Sequence, residues 1–534
     1  MDRILPEHIP TICKFMHNKD LLSMALSSRN FMGPALDVLW CQIESFQPLI
    51  CCLPADLIEF SEEANGLVYY PRREIVPQDL ERYLKVYATR IRHITTLLST
   101  PFCADDDSKP MLSVDLLQGL QIATDCRPGA LCPRIRALRW PAPDAFLRRL
   151  DENTSDLASS FISLFIGNDL SDLSISSETA HLPPLFKTAL FASANRQLGI
   201  KRLTLHMRFE ATPGDSDFFV HRFLSSHDWN DLNYLSTTSI PALSIRALAN
   251  LPQLSTLYLT SQGPLSPAYQ PGGTPILPVE GSFRSLQKLV MCPSEVSSAV
   301  AFLQHLPPKN RLEELHILRV SSDSPSFTEV QGLVTTIITH CNPAAMKDIR
   351  LALSSLSVRE DAILDIDINQ AIDISCLFKS TKLEGITIES PFYFPFTETH
   401  ISRATVALPS LQCLVLTGAR SFHRPPPPID ITHILRLTQG LRKLHRLGLT
   451  FDATGIQGHE MAEGGPQHQL GLLDVDVSPI LSPSQVAHCL KANFPNVSHI
   501  THRFYRPDES NVFADRWRAV SARIGPQPIS YIPS

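Results

Sequence analysis

The chain has 534 residues, more than a single compact hydrophobic core accommodates, so it forms either several domains or a repeat array. Hydrophobic residues make up 43% and charged residues 19%, the balance of a folded protein rather than a disordered one. The formal net charge of -6 gives no basic excess, which argues against nucleic acid as the partner.

The first eight residues, Met1 to His8, carry charge and a proline where a secretory signal peptide would have an apolar run. No apolar stretch is long enough to cross a bilayer. The 12 cysteines include no Cys-x-x-Cys, so we expect buried thiols rather than disulfides or zinc ligands. These features predict a cytoplasmic or nuclear location.

Residues 1–45 are predicted to form a bundle of short helices. Apolar residues recur at helical spacing over Leu5 to Met16, Leu21 to Leu26 and Phe31 to Trp40. Asp20 and Asn30 are suited to capping the second and third helices. A bundle this small buries little surface and would be marginal alone, which favours a docking element.

Four short runs follow one another in this segment: Leu5-Pro6-Glu7, Lys19-Asp20-Leu21-Leu22, Ala25-Leu26 and Leu39-Trp40. Their order resembles the F-box. The sequence departs from that pattern at Ser27-Ser28 and at Pro10, which is expected to interrupt the first helix. The resemblance implies docking to a Skp-type adaptor and, through it, to a cullin of a ubiquitin ligase. The residues expected to bind the adaptor are Leu5, Pro6, Ile9, Ile12, Leu21, Leu22 and Leu26. The alternative is a helical cap on a repeat array.

Residues 46–90 are predicted to form a rigid helical junction. Apolar residues recur at helical spacing in Phe46 to Leu53 and in Pro77 to Arg90, while Asn65 to Arg73 looks looser. Both helical stretches are similar to the extension of F-box proteins from mushroom-forming fungi.

From residue 91 onward one short unit recurs: apolar, two residues, apolar, one residue, apolar. Examples are Ile135-x-x-Leu138-x-Trp140, Leu254-x-x-Leu257-x-Leu259 and Leu472-x-x-Val475-x-Val477. The middle anchors recur about every 30 residues, close to the period of leucine-rich repeats. The pattern predicts an α/β solenoid over 91–505, an irregular leucine-rich-repeat horseshoe with parallel strands on its concave side and helices on its convex side. Residues 506–534 are expected to add a cap helix and a tail.

A doubly wound α/β enzyme is the competing fold, but no turn reads G-x-G-x-x-G or a phosphate loop. Gly272-Gly273 and Gly464-Gly465 do not open helices. His459, Glu460 and His468 lack the spacing of metal ligands. The sequence therefore predicts no catalytic residue, no metal and no cofactor.

Residues that flank the buried anchors are expected to face a protein substrate. This face reads as mixed and polar, without a field of one sign. The candidate substrate-binding residues are Arg202, His206, Tyr258, Glu314, His316 and Arg350. Long irregular segments after strands are expected to form one rim beside them. These segments are Ala211 to Asp217, Ser261 to Gly281, Ser321 to Pro325, Pro391 to Thr397, Gly418 to Pro428 and Asp452 to Gln467.

Together these features predict a substrate-recognition adaptor of a Skp/cullin/F-box ubiquitin ligase that is not an enzyme. Two alternatives stay open: a repeat scaffold without a ligase, and an enzyme whose site the sequence does not reveal.

Overall fold

The computed structural model describes residues 6–63, 66–95, 111–140, 152–177, 182–194, 196, 198–207, 215–238, 240, 242–260, 282–318, 325–353, 371–418, 427–467, 469–502 and 512–525. The chain divides into two compact units, Met1–Leu254 (unit one) and Ser255–Ser534 (unit two). Among the described helices, none has the length and apolar character needed to span a bilayer.

Unit one begins with a helical bundle. It consists of a 3-10 turn at Pro6–His8 and helices at Ile9–Cys13, Asn18–Ser27 and Arg29–Leu39. Pro10 does not interrupt the first helix, because it lies in the first turn, where the missing N–H costs no hydrogen bond.

The second and third helices each start earlier than the sequence predicts. The second begins at Asn18, so Asp20 lies inside its first turn and does not cap it. The third is capped by Ser28, whose side chain accepts from the backbone N–H of Asn30.

The predicted helical junction is only partly helical. Its described elements are the helix Gln47–Ile50, the strands Ile58–Glu63 and Gly66–Pro71, a 3-10 turn at Pro77–Leu80 and a π-helix at Tyr83–Ala88. The two strands pair in antiparallel fashion, and the second also pairs with Met111–Leu112. The expectation of a loose Asn65 to Arg73 was wrong over its described residues, because Gly66–Pro71 is a strand paired with Ile58–Glu63, and Asn65 lies outside the described residues.

The remaining strands of unit one pair in parallel, each with the next in this series. They are Gln42–Ile43, His93–Ile94, Ala137–Trp140, Asp172–Ser177, Arg202–Met207 and Tyr234–Thr237. The helices that accompany them are Val114–Ala123, Glu152–Ser160, Pro184–Ala194, Asp215–Ser225 and Ala242–Ala249, with a 3-10 turn at Phe161–Leu164.

Unit two continues the same alternation of parallel strands and helices. Its described strands are Thr256–Leu259, Lys288–Met291, Glu314–Leu318, Asp348–Ala352, Gly385–Glu389, Cys413–Thr417, Arg446–Gly448, Leu472–Asp474 and His499–Thr501. Its described helices are Val296–Leu303, Phe327–His340, Glu398–Ala407, Ile431–Gly440, Pro483–Asn493 and Val512–Ile524, with a 3-10 turn at Ser375–Lys379. This alternation across both units confirms the predicted α/β repeat class.

The anchors of the repeats are buried, as their spacing predicts. Leu138, Leu257 and Leu315 are each at most 1% exposed. Burying one apolar side chain of this size contributes roughly 1.5–3 kcal/mol, and each strand contributes two or three of them.

One repeat was assigned in the wrong register. Leu472, predicted as its first anchor, is 36% exposed, while Leu470, Leu473 and Val475 are buried. Leu473 pairs with Leu447 on one side and Ile500 on the other, both of them middle anchors. The anchors are therefore Leu470, Leu473 and Val475.

The last described helix is Val512–Ile524, within the segment predicted to add a cap helix. Its Trp517 is fully buried and donates its indole N–H to the carbonyl of Ser478 at 2.8 Å. Arg516 donates to the carbonyl of Ile480 at the same distance of 2.8 Å. The helix thus satisfies backbone groups beside the last strands.

Candidate interaction surfaces

The N-terminal bundle encloses a small core and leaves other apolar side chains outside it. The core contains Ile9, Cys13, Leu21, Ala25 and Ala35. Ile9 is 5% and Leu21 1% exposed, so these two predicted adaptor-binding residues hold the bundle together and offer little surface.

Three other predicted adaptor-binding residues are exposed. Ile12 is 40%, Leu22 50% and Leu26 80% exposed, and the last two lie on one face because they are four residues apart in a helix. Leu5 lies outside the described residues, and only the backbone of Pro6 is described, in the 3-10 turn.

Two exposed apolar residues of the bundle were not predicted. Phe15 is 86% and Met32 47% exposed. Phe15 follows Ile12 by three residues, a spacing that could have revealed it. We call Ile12, Phe15, Leu22, Leu26 and Met32 the exposed apolar set.

The bundle is fixed to the first strands of unit one. The rings of Trp40 and Tyr87 lie 4.3 Å apart between centroids. Arg90 donates to the carbonyl of Gly33 at 2.9 Å and forms an ion pair with Asp37. The strand Gln42–Ile43, directly after the bundle, pairs with His93–Ile94. These contacts tie the end of the bundle to the sheet.

The junction behind the bundle is held by one buried hydrogen bond and by ion pairs nearer the surface. Tyr83 is fully buried and donates its hydroxyl to the carbonyl of Leu131 at 2.7 Å. Burial raises the pKa of Tyr83 well above its ordinary value. Arg73 donates to both carboxylate oxygens of Asp79, at 2.8 and 2.9 Å, and to Asp56 at 3.0 Å.

Two predicted substrate-binding residues lie on the exposed face of the sheet of unit one. Arg202 lies 3.1 Å from the carboxylate of Asp172 and places its guanidinium 4.1 Å from the ring centroid of Tyr234. His206 shares a hydrogen bond of 2.8 Å with Ser236. Burial, and then the positive charge of Arg139, lower the pKa of His206, so the imidazole is neutral near pH 7.

The other four predicted substrate-binding residues lie on the sheet face of unit two. There the register between neighbouring strands brings side chains of opposite charge together. Tyr258 is hydrogen-bonded to Lys288, which pairs with Glu314 at 2.6 Å. His316 and Arg350 both bind Asp348, each at 2.8 Å.

Asp348 is the centre of this arrangement. Burial alone would raise its pKa, but the hydrogen bonds and positive charges of His316 and Arg350 outweigh burial and hold the pKa below its ordinary value. Gly385, the residue paired with Asp348 on the next strand, leaves space for this carboxylate. A Cβ at Gly385 would lie 2.0 Å from the Asp348 Oδ1 atom.

The predicted rim is described in two segments only. In Pro391 to Thr397, Phe392, Phe394 and Phe396 are buried. In Asp452 to Gln467, the carboxylate of Glu460 accepts two backbone N–H groups, and its carbonyl accepts from Asn493 at 2.7 Å. Both segments pack onto unit two. Ser261 to Gly281 lies outside the described residues, and the three other segments lie partly outside them.

Within the described ranges, no three His, Cys, Asp or Glu side chains come together as a metal site would require. His459 and Glu460 belong to the described residues, and His468 lies outside them.

No family model matches the chain, and no curated protein matches it. Among solved structures, the chain is similar to one described as the crystal structure of the Rad7 and Elc1 complex in yeast. The identity is 12% and the TM-score 0.33, over 69% of this chain and 73% of that chain.

Proposed function

We propose that this chain is a non-catalytic adaptor of a Skp/cullin/F-box-type ubiquitin ligase. The exposed apolar set docks the Skp-type adaptor, and the exposed face of the repeats binds the protein to be modified. The observation that carries this proposal is the exposure of Phe15 and Leu26, at 86% and 80%, on a bundle fixed to the sheet. Apolar side chains so exposed on a small helical element favour a covering partner.

The attachment of the bundle supports action by proximity. A substrate receptor presents its cargo at a defined distance, which a flexible linker would blur. The Trp40–Tyr87 contact and the Arg90–Asp37 ion pair restrict movement between the docking helices and the repeats. Limited proteolysis should therefore leave Pro77 to Arg90 uncut, and release of an intact repeat domain by a cut there would contradict a rigid junction.

The test is capture of the purified Skp-type adaptor and a cullin by the full chain. The triple variant Phe15→Ser/Leu22→Ser/Leu26→Ser should weaken capture by roughly a hundredfold or more, since each central apolar contact contributes about 1–3 kcal/mol. Its circular dichroism should match that of the parent chain, because none of the three belongs to the bundle core.

A matched control removes exposed apolar side chains elsewhere. Val406, Met461 and Leu481 are 83%, 56% and 61% exposed in unit two, and their triple serine variant should capture the adaptor normally. If the parent chain captures no adaptor, or if both variants bind equally, the ligase role is wrong. The chain would then be a repeat scaffold without a ligase.

A further inference from the structure

The sheet of unit one carries exposed positive charges, on its exposed face at Arg139 and Arg202 and at the starts of its strands at Arg136 and Lys201, that few neighbouring carboxylates offset. Arg136, Arg139, Lys201 and Arg202 are all exposed and lie on or directly before two strands, Ala137–Trp140 and Arg202–Met207. We call these four residues the basic face.

The strand register fixes how the basic face is arranged. The strand Asp172–Ser177 lies between the two that carry the cations, and Ala137, Asp172 and Arg202 are directly paired. Neighbouring strands lie about 4.8 Å apart, so cations on the outer two are separated by roughly 10 Å. That spacing suits a chain crossing the strands with an acidic side chain at every second or third residue.

The few carboxylates near the basic face leave an excess of cations. Asp172 pairs with Arg202 at 3.1 Å, and Asp169 lines a cavity together with Arg136 and Lys201. In the described part of the chain, Arg136, Arg139 and Lys201 have no carboxylate within ion-pair distance.

The cavity gives this surface a concave feature. Its volume is about 360 Å³, and its lining includes Arg136, Ser171 and Lys201. Ser171 lies between the two cations, because its N–H donates to the carbonyl of Arg136 while its own carbonyl accepts from Lys201. One carboxylate can approach both cations here, where the concave wall limits screening by solvent.

We propose that the basic face binds an acidic, extended segment of a partner protein, with one carboxylate in the cavity between Arg136 and Lys201. This inference rests on the proposed function, since it names the chemistry of the protein that the repeats recognise. The carboxylates of Asp169 and Asp172 favour a peptide with separate acidic side chains over the continuous phosphates of a nucleic acid. Tyr234 is covered by the Arg202 guanidinium, so its ring is already occupied on that side and less suited to stacking on a base.

The test measures binding of the full chain to a fluorescein-labelled peptide of alternating Glu and Ser. We expect binding that weakens as salt rises, and no binding of the matching Lys and Ser peptide. The variant Arg136→Gln/Arg139→Gln/Lys201→Gln should lose roughly tenfold in affinity, because three screened charges each contribute a modest amount.

A control variant removes the same formal charge away from the basic face. Lys309, Lys382 and Lys443 are exposed in unit two, and their triple glutamine variant should bind the peptide within roughly twofold of the parent chain. An equal loss in both variants would overturn the proposal, since it would reveal an effect of net charge alone. Tighter binding of single-stranded DNA with the same sensitivity to Arg139 would also overturn it in favour of a nucleic-acid surface.

Adaptor capture, measured on the same variants, separates this inference from the proposed function. The basic-face variant should capture the Skp-type adaptor as the parent chain does, because none of its changes touches the helical bundle. Capture without peptide binding would overturn the inference alone. Peptide binding without capture would overturn the ligase role and leave the basic face as a binding surface.

Discussion

The sheet faces of the two units differ in how their charges are used. In unit two, Lys288 pairs with Glu314, and Asp348 holds both His316 and Arg350. In unit one, Arg202 has Asp172 as its partner, while Arg139 keeps a solvated guanidinium. Charges paired within the fold contribute to its stability, whereas exposed unpaired charges remain available to a partner. The same repeat thus gives one face whose charges are paired within the fold and one that carries exposed cations such as Arg139.

The largest effect should follow from removing the acceptor in unit two. Asp348→Ala leaves the largely buried imidazole of His316 and the exposed guanidinium of Arg350 without their carboxylate, and we expect a loss of about 2 kcal/mol in the free energy of unfolding. Urea denaturation followed by circular dichroism measures it. A loss no greater than that of an exposed surface change would show that these pairs stabilise nothing.

A smaller effect is expected where the backbone makes room for that carboxylate. Gly385→Ala places a methyl group 2.0 Å from the present position of the Asp348 Oδ1 atom. The side chain must rotate and lose part of its pairing, so we expect a cost of about 1 kcal/mol. In the Asp348→Ala background the cost should largely disappear, and a double-mutant cycle tests this coupling. Strict additivity of the two substitutions would contradict it.

The pairing in unit two should also appear as pH dependence. Because the pKa of Asp348 is lower in the folded chain than its ordinary value of 3.8, its contribution to stability is present above about pH 4 and is lost as pH falls through the folded pKa. The difference in unfolding free energy between the parent chain and Asp348→Asn should therefore shrink in acid. A difference that grows as pH falls below 4 would reverse the assigned sign.

The smallest effect is expected in unit one. Arg139→Gln removes an exposed cation that pairs with no carboxylate among the described residues, so the free energy of unfolding should change by less than about 0.5 kcal/mol. The loss of this positive charge should also raise the pKa of His206, because Arg139 helps to lower it. Titration of the imidazole by NMR measures that shift. Substantial destabilisation would mean that Arg139 serves the fold and not a partner.

The repeat architecture could be predicted because its signal is local and recurs. Anchors such as Leu138, Leu257 and Leu315 alternate with polar residues, and a strand with one buried face requires that alternation. The start of the helix Phe327–His340 is likewise a local signal, since Ser326 and Glu329 form a capping box there.

The tertiary structure decided what local patterns left ambiguous. Two registers satisfy the repeat pattern in this strand: Leu470-x-x-Leu473-x-Val475 and Leu472-x-x-Val475-x-Val477. Only the pairing of Leu473 with Leu447 and Ile500 selects the first register. Leu21 is buried while its neighbour Leu22 is exposed, because only one face of their helix packs against the rest of the bundle. The tertiary structure determines which face that is.

The charge difference between the two faces has the same origin. Which cation meets which carboxylate depends on residues about thirty positions apart in the chain that become neighbours only when strands align, as Lys288 and Glu314 do. The net charge of -6 hides this difference between the two sheet faces, because it sums over the whole chain. Sequence spacing determined the strands, and the register between strands determined where charge is paired and where it stays exposed.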